Sequence, residues 1–323
     1  GHLVAKLMLN ADTLKAYSYN LLGSILGILL FTVLSFLWTG PIVWLVISFT
    51  VLVFFQYNLK LNIKLSSFFL IFLLLCMTTF KATDKVDLHS PYHNISVKFK
   101  ADPLVPVSVQ SNNIWLQTPI DLSDKLKQQK NSMWHNLYTI PYNVLQKDFR
   151  KILIVGSGTG NDVATAVRST NGTIDAVEID PLVAELGITF HPEKPYSNER
   201  VNLIINDARN FIKKTKNKYD LIVYSLLDSH ANLSAKGGVR LDSYVYTKES
   251  FFEAKKILTD DGIIFLSFAI STEEMGNKIY KMLKMNFDSS EPIILTEKSR
   301  SNKDNFNEGI YAFIVSKNKI NLD

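Results

Sequence analysis

The chain of 323 residues holds one cysteine, Cys76. It can form no disulfide within itself and no cysteine-based zinc site. Cys76 lies in an apolar run, where a thiol packs as a small apolar side chain. None of the six histidines falls in an HExxH pattern, so no motif supports a metal, and none is expected. No internal repeat or low-complexity tract occurs. Charge is scarce in residues 1–80: Lys6, Lys15, Lys60 and Lys64 oppose Asp12, giving +3. The whole chain carries +5, which leaves +2 for everything after residue 80. That near-neutral remainder excludes a nucleic-acid surface, which needs clustered Lys and Arg.

What fills the charge-poor stretch is three apolar blocks, residues 21–38, 42–57 and 67–80. Each reads as a membrane span, for which about 20 apolar residues are needed. The third reaches that length only if it starts near Leu61 and Lys64 snorkels to the interface. Three buried core helices in a row would need a far larger protein to cover them, and two apolar stretches in succession argue against a signal peptide. Gly23, Ser24 and Gly27 lie together on the first block, where small residues let another helix approach. Gly1-His2 replaces an initiating methionine, and the first residues read like a loop between spans. The expectation is a transmembrane segment over 1–80, part of a larger membrane portion with lipid as a partner.

Residues 81–145 read as a small antiparallel β domain with connecting helices. Strands are expected at 93–101, 105–110 and 114–118, with a turn at 111–113, then helices at 122–130 and 134–145. Over 146–323 strand and helix alternate. Strands are expected at 152–155, 174–179, 201–205, 221–224 and 263–268, with helices at 162–169, 181–189, 208–214 and 248–258. That rhythm implies α/β architecture with a doubly wound, Rossmann-like sheet. Strands at 293–296 and 310–315, separated by a polar stretch, are expected to close it as an antiparallel edge.

The first of these strands runs into Gly156-Ser157-Gly158-Thr159-Gly160 and then a helix. Glycines let the backbone turn sharply and meet a ligand with no Cβ in the way. The helix start adds free N–H groups. The next strand ends in Glu178, where an acid usually grips a ribose diol. The third ends at Asp207-Ala208, where an acid can accept from an adenine amino group. Gly156, Gly158, Gly160, Glu178, Asp207 and Ala208 therefore form the candidate nucleoside site. The plain structural alternative for both acids is helix capping. The GxGxxG spacing that suits a pyrophosphate is absent. GxGxG fits an S-adenosyl ligand, which brings no phosphate.

From Ser90 onward the chain resembles the spermidine synthase (polyamine aminopropyltransferase) family, in its multi-span membrane branch. Ser90-Pro91-Tyr92-His93 resembles the opening SPYQ of that family's β domain, and Trp134-His135 its Tyr-His pair. The runs 155–160 (VGSGTG), 177–180 (VEID) and 206–209 (NDAR) are similar to its nucleoside motifs, in order and spacing. Residues 219–230 (YDLIVYSLLDSH) resemble its catalytic strand and 246–251 its following helix start. The resemblance implies transfer of an aminopropyl group from decarboxylated S-adenosylmethionine to a polyamine. Carried over by position, Asp228 binds or deprotonates the amine, and His93 and His135 contact it. Asp242 or Glu249 stand near enough in sequence to assist. Four positions depart from the pattern. Ser225 stands at the family's proton acceptor, Thr159 at the loop acid that grips the donor amine, His93 at the SPYQ glutamine and Trp134 at the tyrosine.

A methyltransferase using intact S-adenosylmethionine is the second reading, since Gly-x-Gly-Thr-Gly is common in that superfamily. A membrane protein that only binds polyamine or nucleoside is the third. A homo-oligomer is a further option. S-adenosyl donors imply a multi-pass cell-membrane protein with a cytoplasmic transferase domain. Three spans would then put Lys6 and Lys15 outside, against the positive-inside tendency. Either the third block does not cross, or upstream spans set the topology.

Overall fold

A computed structural model describes residues 12–58, 68, 71, 85–112, 114–123, 132–226, 244–270, 272–287, 290–296 and 309–318. The chain divides into two compact units, Gly1–Ile95 and Ser96–Asp323.

In the first unit, α1 (Thr13–Phe36) is capped by Asp12, whose carboxylate accepts from Leu14 N at 3.1 Å and Lys15 N at 3.2 Å. The hydroxyls of Ser18, Ser24 and Thr32 donate to carbonyls four residues back. Each of these three hydroxyls is thus satisfied inside the helix, as apolar surroundings require. Leu14–Phe36 is, among the described residues, the one helix long and apolar enough to cross a membrane. Pro41 opens α2 (Pro41–Asn58) with a φ suited to a first helical turn. Its apolar part, Pro41–Phe55, is shorter than a span. The expectation of three spans is thereby corrected to one helix of spanning length. The second block is helical throughout as α2 but its apolar part is short, and the third lies outside the described residues apart from Phe68 and Ile71. Between α1 and α2, Thr39 Oγ1 donates to Leu34 O and accepts from Trp44 Nε1, each at 2.8 Å. Trp44 also meets Phe31 edge-on at 4.9 Å between centroids. Strand β1 (Lys85–His89) follows and was not expected. The Ser90–His93 segment is a tight turn: Ser90 N donates to His93 O, and Ser90 Oγ accepts from His93 N, both at 2.9 Å.

β2 (Asn94–Phe99) crosses the boundary between the units. In the second unit β3 (Val107–Ser111) and β4 (Ile114–Gln117) pair antiparallel, with a bulge at Val109/Gln110. Helix α3 (Ser132–Leu145) follows. Beyond Ser123, the helix expected over 122–130 lies outside the described residues.

The larger sheet comprises β5 (Lys151–Val155), β6 (Thr173–Glu178), β7 (Val201–Ile205), β8 (Tyr219–Tyr224), β9 (Leu258–Ile270), β10 (Ile293–Thr296) and β11 (Gly309–Ser316). Helices α4 (Asn161–Ser169), α5 (Pro181–Phe190), α6 (Ala208–Lys214), α7 (Lys248–Lys256) and α8 (Glu273–Asn286) alternate with the strands, and a 3₁₀ turn spans Pro195–Ser197. The strand order is β10-β11-β9-β8-β5-β6-β7. β7, β6, β5, β8 and β9 run parallel, and β11 and β10 close the sheet antiparallel, as expected from the sequence. Leu153, Val155, Ile222 and Tyr224 face one layer with Phe251 and Leu266. Ile152, Ile154, Leu221 and Val223 face the other with Val163 and Phe265. Burial on both faces explains why β5 and β8 are unbroken apolar runs. Each fully buried aliphatic side chain contributes about 1.5–3 kcal/mol.

This order creates the site. The chain lays β5, β6 and β7 outward, then returns to place β8 on the other side of β5. Val155 is in register with Val177 on one flank and Tyr224 on the other. Connections leaving β5 and β8 diverge there and open a crevice at the strands' carboxyl ends, where ligands bind in such sheets.

Candidate active site

The loop after β5 is left-handed at all three glycines, with φ of 70° at Gly156, 57° at Gly158 and 103° at Gly160. Gly156 N and Ser157 N both donate to Val177 O, at 2.9 and 3.0 Å, which ties the loop to β6. Gly158 N donates to Glu178 Oε2 at 2.8 Å, and Asp180 N donates to Glu178 Oε1 at 2.9 Å. Glu178 is 8% exposed, so the acid expected to hold a ribose also braces the glycine loop. Tyr196 OH bridges Ser157 Oγ at 2.9 Å and Gly158 O at 2.7 Å. Burial, with the nearby carboxylates, pushes that phenol well above its ordinary pKa.

From the opposite side Gln117, the last residue of β4, reaches the loop. Its Oε1 accepts from Thr159 N at 2.6 Å and from Thr159 Oγ1 at 2.9 Å. A Cβ on Gly158 would stand 2.2 Å from that oxygen. The sequence reading missed Gln117. The contact joins residues 42 apart, and a single glutamine at a strand end carries no pattern.

Asn161, the first residue of α4, fastens residues 118–120 to the loop. Its Oδ1 accepts from Ile120 N at 3.1 Å, while Nδ2 donates to Thr118 O at 3.0 Å and Tyr138 OH at 3.2 Å. His191 Nδ1 accepts from Glu193 N at 3.1 Å, so Nε2 carries the proton and donates to Asn161 Oδ1 at 3.2 Å. Burial, aided by Arg168, lowers the His191 pKa to about 3 and keeps the ring neutral. Glu193 completes the clamp, accepting from Leu122 N at 2.7 Å and pairing with Arg168.

A cavity of about 230 Å³ adjoins this clamp, lined by Lys100, Val105, Trp115, Thr118, Ile120, Tyr138 and Asn161. Its wall holds a lysine and no carboxylate, which does not suit a polycation.

Asp207 is the N-cap of α6: its Oδ1 accepts from Asn210 N at 2.7 Å. The capping alternative therefore describes Asp207 in this structure. Ala208 is buried at the start of that helix. Asn206 N donates to Glu178 O at 3.0 Å, which brings the ends of β6 and β7 together. The structure thus gathers Gly156, Gly158, Gly160, Glu178, Asp207 and Ala208 along one sheet edge. Other candidates are less defined. His93 lies in the Ser90–His93 turn of the first unit. His135 is on α3, its side chain outside the described residues. Asp228 and Asp242 also lie outside them. Glu249 is exposed in the first turn of α7.

At the switch point, Ser225 N donates to Val155 O at 3.2 Å. Ser225 is 4% exposed, and its Oγ has no hydrogen-bond partner. Asp162 on α4 is 7% exposed. Burial raises the Asp162 pKa from an ordinary 3.8 to about 6; the Ser225 hydroxyl and the helix's own N–H offset part of the rise. Among the described residues, no group of three His, Cys, Asp or Glu side chains could hold a metal.

A family model described as the spermine/spermidine synthase domain matches residues 135–322. The polyamine aminopropyltransferase of Thermoplasma volcanium is 29% identical over 148 residues, 45% of this chain and 51% of that protein. Its counterpart in Korarchaeum cryptofilum is 28% identical over 135 residues, 41% of this chain and 39% of that protein. The chain thus spans about half the length, or less, of these relatives. Among solved structures, the spermidine synthase from Thermotoga maritima superposes with a TM-score of 0.53 at 17% identity, over 74% of this chain and 73% of that one. A spermidine synthase in complex with the transition state analogue AdoDATO gives 0.52 at 18% identity, over 74% and 72%. At such identity these two establish the shared fold.

Proposed function

Because the chain belongs to the spermine/spermidine synthase family, we propose that it transfers an aminopropyl group from decarboxylated S-adenosylmethionine to a polyamine. The observation that carries this reading is the Gly158–Glu178 contact at the carboxyl edge of the sheet, inside the matched domain. The loop there offers close backbone approach, and an acid lies at the end of the next strand.

In this reading Glu178 accepts from the ribose hydroxyls, because a carboxylate has about four acceptor sites. Asp207 and Ala208 hold the adenine, and Gly156, Gly158 and Gly160 let the nucleoside lie against the loop. Asp228, with His135, holds the acceptor amine. The donor supplies an electrophilic carbon beside a sulfonium. The chain's task is to orient that carbon, exclude water and present an unprotonated nitrogen. An amine arrives charged, its ordinary pKa being near 10.

Methyl transfer from intact S-adenosylmethionine is the second reading, and Thr159 favours it. With its side chain bound to Gln117, the loop presents no acid to a donor ammonium. α1 anchors the protein in the cell membrane and in contact with lipid. The transferase domain faces the cytoplasm, where the donor is made. The protein assembles as a homo-oligomer.

Calorimetric titration of the full-length protein with each donor tests the donor assignment. Tighter binding of decarboxylated S-adenosylmethionine supports aminopropyl transfer. Preference for the intact form, or no binding of either, contradicts it.

A further inference from the structure

The cavity of about 230 Å³ takes no part in the proposed reaction. It lies within the second unit. Lys100 and Val105, between β2 and β3, form one wall; Trp115 on β4 and Ile120 beyond it form another; Tyr138 on α3 closes it. Its polar atoms are paired with one another. Trp115 Nε1 donates to Thr118 Oγ1 at 2.9 Å. Asn161 Nδ2 donates to Thr118 O at 3.0 Å and to Tyr138 OH at 3.2 Å. The space is therefore left with aromatic and aliphatic surface and one cation, Lys100. A wall whose polar groups are already paired holds water poorly and favours an apolar occupant. The acids closest in sequence turn to their own backbone: Asp102 Oδ1 accepts from Leu104 N at 2.9 Å, and Asp121 Oδ1 from Ser123 N at 3.0 Å. Lys100 is exposed, so its amine meets an anion at the rim without being buried. The volume is below the roughly 300–1,000 Å³ of drug-sized sites, which limits the occupant to about one ring with a short arm.

We propose that this cavity is a regulatory site for a small aromatic carboxylate. The ring packs against Trp115 and Tyr138, Val105 and Ile120 flank it, and the carboxylate pairs with Lys100 at the rim. A polyamine is refused, because it would bring further cations to a lysine. The occupant also touches the clamp that holds the glycine loop. Asn161 accepts from Ile120 N at 3.1 Å, donates to Tyr138 OH and directly follows Gly160. Support behind Tyr138 and Ile120 therefore holds Asn161, and with it the loop, in the arrangement seen here. The link to the donor rests on the reading that the nucleoside binds at that loop. It is reciprocal by linkage: the occupant strengthens donor binding, and the donor strengthens binding of the occupant.

Calorimetric titration of the full-length protein with phenylacetate tests the site, with phenylethanol and phenethylamine as the neutral and cationic counterparts. Phenylacetate should saturate with a Kd on the order of 1 mM, and both counterparts should bind about fivefold more weakly or worse. Lys100→Gln should weaken phenylacetate by about fivefold and leave the alcohol unchanged. Val105→Phe, which fills the space from a half-buried position, should abolish binding of all three. Saturating phenylacetate should raise donor affinity about fivefold in wild type and leave it unchanged in Val105→Phe. If Val105→Phe fails to fold, Lys100→Gln, on the exposed rim, decides. Phenylacetate that does not saturate, equal binding of the three probes, or undiminished phenylacetate binding in Lys100→Gln overturns the site. Saturable phenylacetate with unchanged donor affinity overturns its regulatory role. A donor that fails to bind while phenylacetate still saturates overturns the nucleoside reading and leaves the site standing.

Discussion

Gly158 and Glu178 are joined by a 2.8 Å hydrogen bond from the glycine N–H to Oε2, across 20 residues of sequence. One carboxylate therefore sets the shape of the loop and stands where a nucleoside ribose is expected. Glu178→Ala should weaken donor binding by about 1–3 kcal/mol, and it should also lower Tm, since Gly158 N and Asp180 N lose their acceptor. Glu178→Gln keeps one acceptor oxygen and should fall between. Calorimetry and thermal melts on the same samples measure both. Wild-type affinity in the alanine variant would restrict Glu178 to bracing the loop.

Gly158→Ala should abolish donor binding for two separable reasons. The new Cβ meets Gln117 Oε1 at 2.2 Å, and the backbone φ of +57° costs a side-chain-bearing residue roughly 1–2 kcal/mol. Adding Gln117→Ala removes the clash and leaves the strain, so the double variant should recover folding but little affinity. Full recovery in the double variant would show that sterics alone governed the loop.

The sheet was legible because its signals are local. An apolar run into three glycines announced β5 and its loop, and strands 293–296 and 310–315 announced the antiparallel edge. Glu178 and Asp207 were legible as strand-end acids, and capping was foreseeable for Asp207. Gln117 was hidden because its partner Thr159 is 42 residues away. Asp162 was not singled out, since burial is a tertiary property that no spacing reveals. β1 was missed because residues 85–89 alternate charge with apolar side chains over too short a stretch. The second apolar block was over-read as a span because its helix ends through the polar Gln56 and Asn58, which leaves too short an apolar length.

Asp207 can be separated into cap and ligand. Asp207→Ala should cost about 0.5–2 kcal/mol of stability through the lost cap. Asp207→Ser keeps a capping oxygen and should restore Tm while leaving donor affinity reduced. If the serine variant binds the donor like wild type, Asp207 only caps α6.

Stability should depend on pH through two buried groups of opposite sign. His191 is lowered from 6.5 to about 3, so the unfolded chain binds its proton first. Its contribution is complete above 6.5 and is lost as pH falls toward 3. Asp162 is raised from 3.8 to about 6, so the folded chain binds that proton first. The gain is complete below 3.8 and is lost as pH rises through 6, leaving a buried charge as a cost at neutral pH. Asp162→Asn should therefore stabilise the protein, on the order of 2–3 kcal/mol near neutral pH, with the difference vanishing in acid. Melting curves across that range decide it. Destabilisation at neutral pH would mean that the charged form is held by partners.

The most direct test of the account is the product. The full-length protein, incubated with putrescine and either decarboxylated or intact S-adenosylmethionine, is assayed by mass spectrometry. The account predicts an aminopropylated amine with the decarboxylated donor and no methylated amine with the intact one. A methylated product, or unchanged putrescine with both donors, would contradict it.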